Sequence, residues 1–220
     1  IGGAYAYHYL LDNPANFNWL FFTLAVIGVI LLHLGSNVLN DYFDVKDGTD
    51  DANNDYFLQF SGGSRAIELG LISLEGTKRL GWLLVAAAGV IGLYLTYMTG
   101  IVTFLIGMAG LLIGYLYTAP PVRLVARRGL GELGIALAFG PLVTAGVVYV
   151  MTQQLDLMSF LIGLPVGLLT ANILLINEFP DAASDATTGK NHLVVTFGKE
   201  RSTYIYLAIL LAAFITNLGI

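Results

Sequence analysis

Several apolar runs of this chain approach or exceed the ~18–20 residues that cross a bilayer, and that length leaves few architectures open. The runs are continuous. A transmembrane barrel would instead show short segments of alternating polarity, so the pattern predicts membrane-spanning helices. Only 11% of the 220 residues are charged and 56% are hydrophobic, against roughly 25% charged in soluble domains. With no cysteine in the chain, disulfides, thiolate catalysis and sulfur ligation of a metal are excluded. The expected fold class is all-α, a polytopic transmembrane bundle.

The first complete span reads from about Trp19 to Phe43, and others lie near 80–98, 101–118, 131–151, 158–178 and 202–220. Residues 1–11 read as the tail of a further helix, which gives six spans and a partial one. A polar turn with Pro14 joins Asp12 to Asn18. The polar stretch from the first span to about Arg79 is too long for a simple turn and is expected to carry short helices. The chain opens at Ile1 with no basic leader and stops at Ile220 inside an apolar run. It therefore reads as one domain, 1–220, that continues past both ends. Frequent glycines, 26 in all, suit helices packed closely in lipid, and equally a subunit interface, so the oligomeric state stays open.

Charge placement gives sidedness. All ten Lys and Arg residues fall in the loops after the spans ending near 43, 118 and 178. Alternate loops of a bundle share a side, and the opposite loops near 12–18, 99–100 and 152–157 carry no Lys or Arg. The positive face is expected to be cytoplasmic. The net charge of −5 says little about partners here, and nothing in the pattern calls for nucleic acid.

Two polar clusters end apolar runs on that face. In SNVLNDYFDVKDGTDD, helical spacing puts Asn37, Asp41 and Asp44 on one narrow face with Asn40 beside them. In INEFPDAASDATTGK, Asn177, Asp181 and Asp185 stand four residues apart. The Asn-x-x-x-Asp pair at 37 and 41 recurs 140 positions later at 177 and 181. Carboxylates near membrane depth cost a few kcal/mol each, so Asp41, Asp44, Asp181 and Asp185 point to one shared cation site. Mg²⁺ fits, since it takes oxygen ligands and is typically bound by one or two carboxylates together with substrate phosphates. Lys46, Arg65, Arg123 and Lys190 lie on the same face to meet remaining phosphate charge. The blander reading is that the aspartates cap helix ends in water.

Weaker features surround these. Pro180 is expected to kink or end its helix. Gly62 and Gly63, flanked by Ser61 and Ser64, could form a phosphate-binding nest or merely a turn. Tyr115 and Tyr117 sit at a membrane boundary, where tyrosine anchors helices, with an electron-rich acceptor pocket as the alternative. His8, His33 and His192 are scattered, and none reads as a ligand. Arg127 and Arg128 read as a topology signal or lipid contact. Asp47, Asp50 and Asp51 either extend the site or are solvated.

NDYFD with Asn37 upstream, SGGSRAI, YTAPPVRL with RGLGE, and NEFPD-x-x-x-D-x-x-x-GK together resemble the UbiA superfamily of intramembrane prenyltransferases, over nearly the whole chain. The resemblance implies a bundle of normally nine helices in which the aspartates bind Mg²⁺ and the diphosphate of an isoprenoid donor. One departure is visible: the last place of N-D-x-x-D-x-x-x-D is Gly48 here, with Asp47 or Asp50 as substitutes. SGGSR and the FGK after the second cluster look most like the menaquinone-pathway branch, which prenylates dihydroxynaphthoate. The resemblance thus implies Mg²⁺ held by Asp41, Asp44, Asp181 and Asp185 with Asn37 and Asn177. The diphosphate would be met by Asn37, Asn40, Lys46, Arg65, Arg123, Asn177 and Lys190. The partners implied are a prenyl diphosphate, a small aromatic acceptor and the bilayer. Hydroxybenzoate or geranylgeranylglyceryl phosphate are alternative acceptors. A CDP-alcohol-type phosphotransferase is disfavoured because its aspartates form one compact motif. A cation transporter is disfavoured because it would carry carboxylates near the bilayer midplane rather than at span ends.

Overall fold

The computed structural model describes residues 1–11, 16–46 and 64–220. The chain forms α1 (Gly2–Tyr9), α2 (Trp19–Lys46), α3 (Leu74–Thr99), α4 (Ile101–Thr118), α5 (Leu130–Leu137), α6 (Val143–Thr152), α7 (Leu157–Leu161), α8 (Leu164–Thr187) and α9 (Leu193–Leu218). A π-helical turn, Ala138–Leu142, joins α5 to α6 into one span and contains Pro141. Among the described residues six segments are long and apolar enough to cross a membrane, and no strand is present. The protein is an integral membrane protein.

Its surface is arranged for lipid. Large apolar side chains such as Val90, Tyr97, Leu105 and Phe214 are exposed, while Thr77, Asn172, Glu178, Ser184 and Ser202 are buried. Hydrocarbon solvates the former as well as a protein core does and cannot satisfy the latter, so polar groups turn inward. Helices approach through small residues for the same reason. A Cβ on Gly35 of α2 would lie 2.9 Å from Val85, and one on Gly81 of α3 would lie 2.8 Å from Leu39. The span made by α5, the π turn and α6 meets α8 more closely still. A Cβ on Gly167 would run into the Ala136 carbonyl, and one on Gly140 into that of Gly163. Backbones can touch in this way only where side chains are absent.

Three helix boundaries differ from the expectation drawn from hydropathy. Helix α3 starts at Leu74 because Ser73 caps it, accepting the Gly76 amide at 3.1 Å. Its first turns hold Glu75 with Lys78 and Arg79 at 3.9 and 3.3 Å, charged residues that form helix readily but carry no apolar signal. Helix α9 likewise begins at Leu193 and bends at Gly198, whose φ of 80° is not helical. Helix α8 runs through Pro180 to Thr187 instead of ending there. Beyond the proline, Ser184 and Thr187 donate to the carbonyls of Asp181 and Ser184 at 2.8 and 2.7 Å and support the continuation.

At the end lacking Lys and Arg, α1 is tied to the α6–α7 turn. Tyr5 donates to Asp156 at 2.8 Å and Tyr9 to Gln154 at 2.6 Å. Asp156 also caps α7 through the Ser159 amide at 2.7 Å. Hydrogen bonds from Ser159 and Tyr5 hold its carboxyl below the usual range. The polar segment expected to bear short helices lies mostly outside the described residues, as do Asp47, Asp50, Asp51, Ser61, Gly62, Gly63 and Pro14. Its described part, 64–73, is turn and coil leading to Ser73.

Candidate active site

The two polar clusters meet at the basic end of the bundle. Asp44 closes α2, and α8 carries Asp181 and Asp185 past Pro180. The α8–α9 loop joins them. Gly189 takes a φ of 75°, a value a side chain disfavours, and this turn lets the Lys190 amide donate back to the Asp185 carbonyl at 3.0 Å. The Lys190 side chain then reaches across to Asp44, Nζ to Oδ1 at 2.9 Å. Asp44 lies within electrostatic reach of both Asp185 and Asp41. Residues more than 140 positions apart therefore form one site.

The first cluster is partly open. Asn40 donates to Asp44 Oδ2 at 3.1 Å, and Ser64 of the SGGSR motif donates to Asp41 at 2.5 Å. Asn37 is exposed and lies 3.4 Å from His33 Nε2. The His33 ring packs edge-on to Phe139 of the π turn, 4.9 Å between centroids.

The second cluster is backed by a buried network. His192, 1% exposed, lies 3.1 Å through Nε2 from Asp185 Oδ2 and 3.2 Å through Nδ1 from Glu178 Oε2. Residues 178 and 185 are two helical turns apart on one face, so a single ring spans them. Burial opposes charge on His192, and its contacts with Asp185 and Glu178 outweigh that penalty, raising its pKa to about 9. Glu132 of α5 accepts the Leu193 amide at 2.8 Å and lies within electrostatic reach of Glu178. Asp181 and Asn177 are half-buried on the same helix.

The other expected residues are distributed more widely. Tyr117 lies within electrostatic reach of Glu178, Glu132, Asp44 and Asp185. Tyr115 instead joins an aromatic group with Phe43 and Trp82, centroids 6.2 and 5.6 Å away. The two tyrosines thus have different surroundings despite their spacing. Lys46 is exposed and sits 5.8 Å from the centre of the Tyr42 ring. Arg65 pairs with Glu68 at 3.9 Å. Arg123 caps the short 3₁₀ turn Leu124–Ala126 in a left-handed conformation, φ 46°. Arg127 donates to the carbonyls of Val122 and Pro121 at 2.8 and 3.2 Å, holding its own loop.

Glu132, Glu178 and His192 were not legible as site residues from spacing. The available signal was two glutamates in apolar spans, where an ionisable residue implies a role by its cost alone.

Asp44 pairs with Lys190, and Asp185 and Glu178 face His192, with Glu132 on the adjoining backbone. Among the described residues no three carboxyl or imidazole groups converge tightly enough to hold a metal ion by themselves. The donor set nonetheless suits Mg²⁺, which takes few protein carboxylates and completes its shell with water and phosphate oxygens. Asn40 Oδ1, buried beside Asp44 and without a hydrogen-bond partner among the described residues, is a further available oxygen.

The described residues thus place a buried acidic cluster at one end of a helical membrane bundle. The chain belongs to the UbiA prenyltransferase family, whose model matches residues 2–220. It is 31% identical over 209 residues to 1,4-dihydroxy-2-naphthoate octaprenyltransferase of Haemophilus influenzae, covering 91% of this chain and 64% of that protein. It is 26% identical over 204 residues to the enzyme of the same name from Bacillus subtilis, covering 91% and 62%. To 2-carboxy-1,4-naphthoquinone phytyltransferase of Synechocystis sp. it is 30% identical over 200 residues, covering 90% and 62%. The chain therefore spans under two thirds of the length of these relatives. No solved structure matches it.

Proposed function

We propose that the protein transfers a prenyl group from an isoprenoid diphosphate to an aromatic acceptor of the dihydroxynaphthoate type, with Mg²⁺, at the cytoplasmic face of a membrane. The observation that carries this reading is the joining of the two aspartate clusters, through Lys190 and Asp44 at 2.9 Å, inside a bundle of the UbiA family. The relatives named for naphthoate acceptors support the choice of acceptor.

Asp41, Asp44, Asp181 and Asp185, with Asn37 and Asn177, would hold Mg²⁺. The bound ion supplies charge neutralisation for the diphosphate as it leaves the allylic carbon. Lys190, 2.9 Å from Asp44, would offer its charge to a phosphate oxygen of the donor beside that carboxylate. Asn40 offers its amide oxygen to the cation and its amide nitrogen to Asp44. Arg65 and Arg123 meet remaining phosphate charge from the flanking loops. Tyr117, within electrostatic reach of the carboxyl groups, would offer an electron-rich ring to the allylic cation, and Tyr115 with Phe43 and Trp82 would help shield it from water. The isoprenoid tail runs between apolar helices.

Product mass spectrometry on the full-length protein in detergent tests the reading. It would be given Mg²⁺, geranylgeranyl diphosphate and a panel of dihydroxynaphthoate, hydroxybenzoate and geranylgeranylglyceryl phosphate. A chelator-sensitive adduct of dihydroxynaphthoate is expected. Absence of any adduct and of diphosphate release across donor lengths would overturn it.

A further inference from the structure

The buried group behind the second cluster costs free energy to maintain. Taking His192, Glu178 and Glu132 out of water is repaid only when their geometry is satisfied, and a buried ionic group is weak support for stability. Their arrangement is directional instead. His192 occupies Oδ2 of Asp185, which leaves Oδ1 as the oxygen Asp185 can offer a cation.

The ring itself is fixed from two further sides. Glu178 lies against Nδ1 at 3.2 Å from the same helix. Glu132, from α5, accepts the amide of Leu193 at 2.8 Å and so pins the residue after His192. All three acidic side chains are buried: Glu132 is 3%, Glu178 5% and Asp185 7% exposed. Three helices thus converge to set the orientation of one carboxylate.

We propose that His192, held by Glu178 and by Glu132 through the start of α9, is a positioning residue that orients the Asp185 carboxylate toward a divalent cation. The inference rests on the function proposed above and names the residues that make that site rigid. Groups of this kind, hydrogen-bonded to metal ligands, typically change metal affinity by about 10–100-fold when removed.

The test is Mn²⁺ binding to the full-length protein, followed by electron paramagnetic resonance with inorganic pyrophosphate present, and thermal unfolding of each variant. His192→Ala should fold, bind Mn²⁺ about 10–100-fold more weakly, and raise KM for the prenyl diphosphate while leaving KM for the aromatic acceptor unchanged. His192→Gln, whose amide can donate to Asp185, should recover most of the affinity. A folded His192→Ala with wild-type Mn²⁺ affinity would overturn the proposal and leave His192 only its role as the α9 N-cap, where Nδ1 accepts the Val195 amide at 3.4 Å. Should His192→Ala not fold, Glu178→Gln decides: weaker binding supports the proposal and unchanged binding overturns it. Asp185→Asn separates the two levels. If it loses Mn²⁺ while His192 variants do not, only the positioning role fails. If the wild type binds no Mn²⁺, the functional reading fails and the positioning role with it.

Discussion

The two aspartate clusters look equivalent in sequence and are built differently. The first is held by contacts that a ligand can replace: a lysine from another loop on Asp44 and a serine hydroxyl on Asp41. The second is held by a buried imidazole ring with a glutamate behind it and a third helix pinning the adjacent backbone. Under the proposed function, a site that admits and releases a highly charged diphosphate gains from this asymmetry. In that reading one half would fix geometry and the other would exchange partners as charge arrives.

Removing a carboxylate from either half should have the largest effect. Asp44→Ala and Asp185→Ala should each lower turnover by roughly 10²–10³-fold, the scale of losing one group that stabilises transition-state charge. Steady-state assays with Mg²⁺ and a prenyl diphosphate measure it, and near-normal activity in either would end the shared-site reading. Chelation should abolish turnover reversibly in the wild type.

Lys190→Met would break the exchangeable half more selectively. It leaves a buried Asp44 without Nζ, and breaking a buried pair from one side destabilises by about 3–5 kcal/mol. The expected loss is toward the lower end, because the pair lies at a helix end near water. Thermal unfolding should show the loss without Mg²⁺ and partial recovery with Mg²⁺ and pyrophosphate. The same additions should leave the His192→Ala deficit in place, which is the sharpest contrast between the halves.

Ser64→Ala removes one hydroxyl from Asp41 and should cost about 1 kcal/mol of stability in the ligand-free protein, read by thermal unfolding, with no rise in KM for the diphosphate. At the opposite end, Asp156→Ala removes the α7 cap and the tie to Tyr5. A stability loss of about 1 kcal/mol is expected, with turnover unchanged. A large activity loss there would mean that the two ends of the bundle are coupled.

The sequence by itself determined the spans, the side that collects positive charge and the two places where carboxylates stand at membrane ends. These are local or additive properties: the length of an apolar run, the sum of charges in a loop, the angle between residues on one helix. Helix boundaries at Leu74 and Leu193 escaped hydropathy because charged first turns are helical without being apolar. The tertiary structure alone decided which partner each carboxylate takes. Asp44 meets Lys190 because glycines at 35, 81, 140, 163 and 167 let backbones approach and because Gly189 turns the α8–α9 loop back on itself. His192 was unremarkable in the chain since its meaning lies in Glu178 and Asp185 on the preceding helix and Glu132 on an earlier one. A polar residue in an apolar run declares its cost through composition. Its partner is chosen by packing between helices, which no single segment encodes.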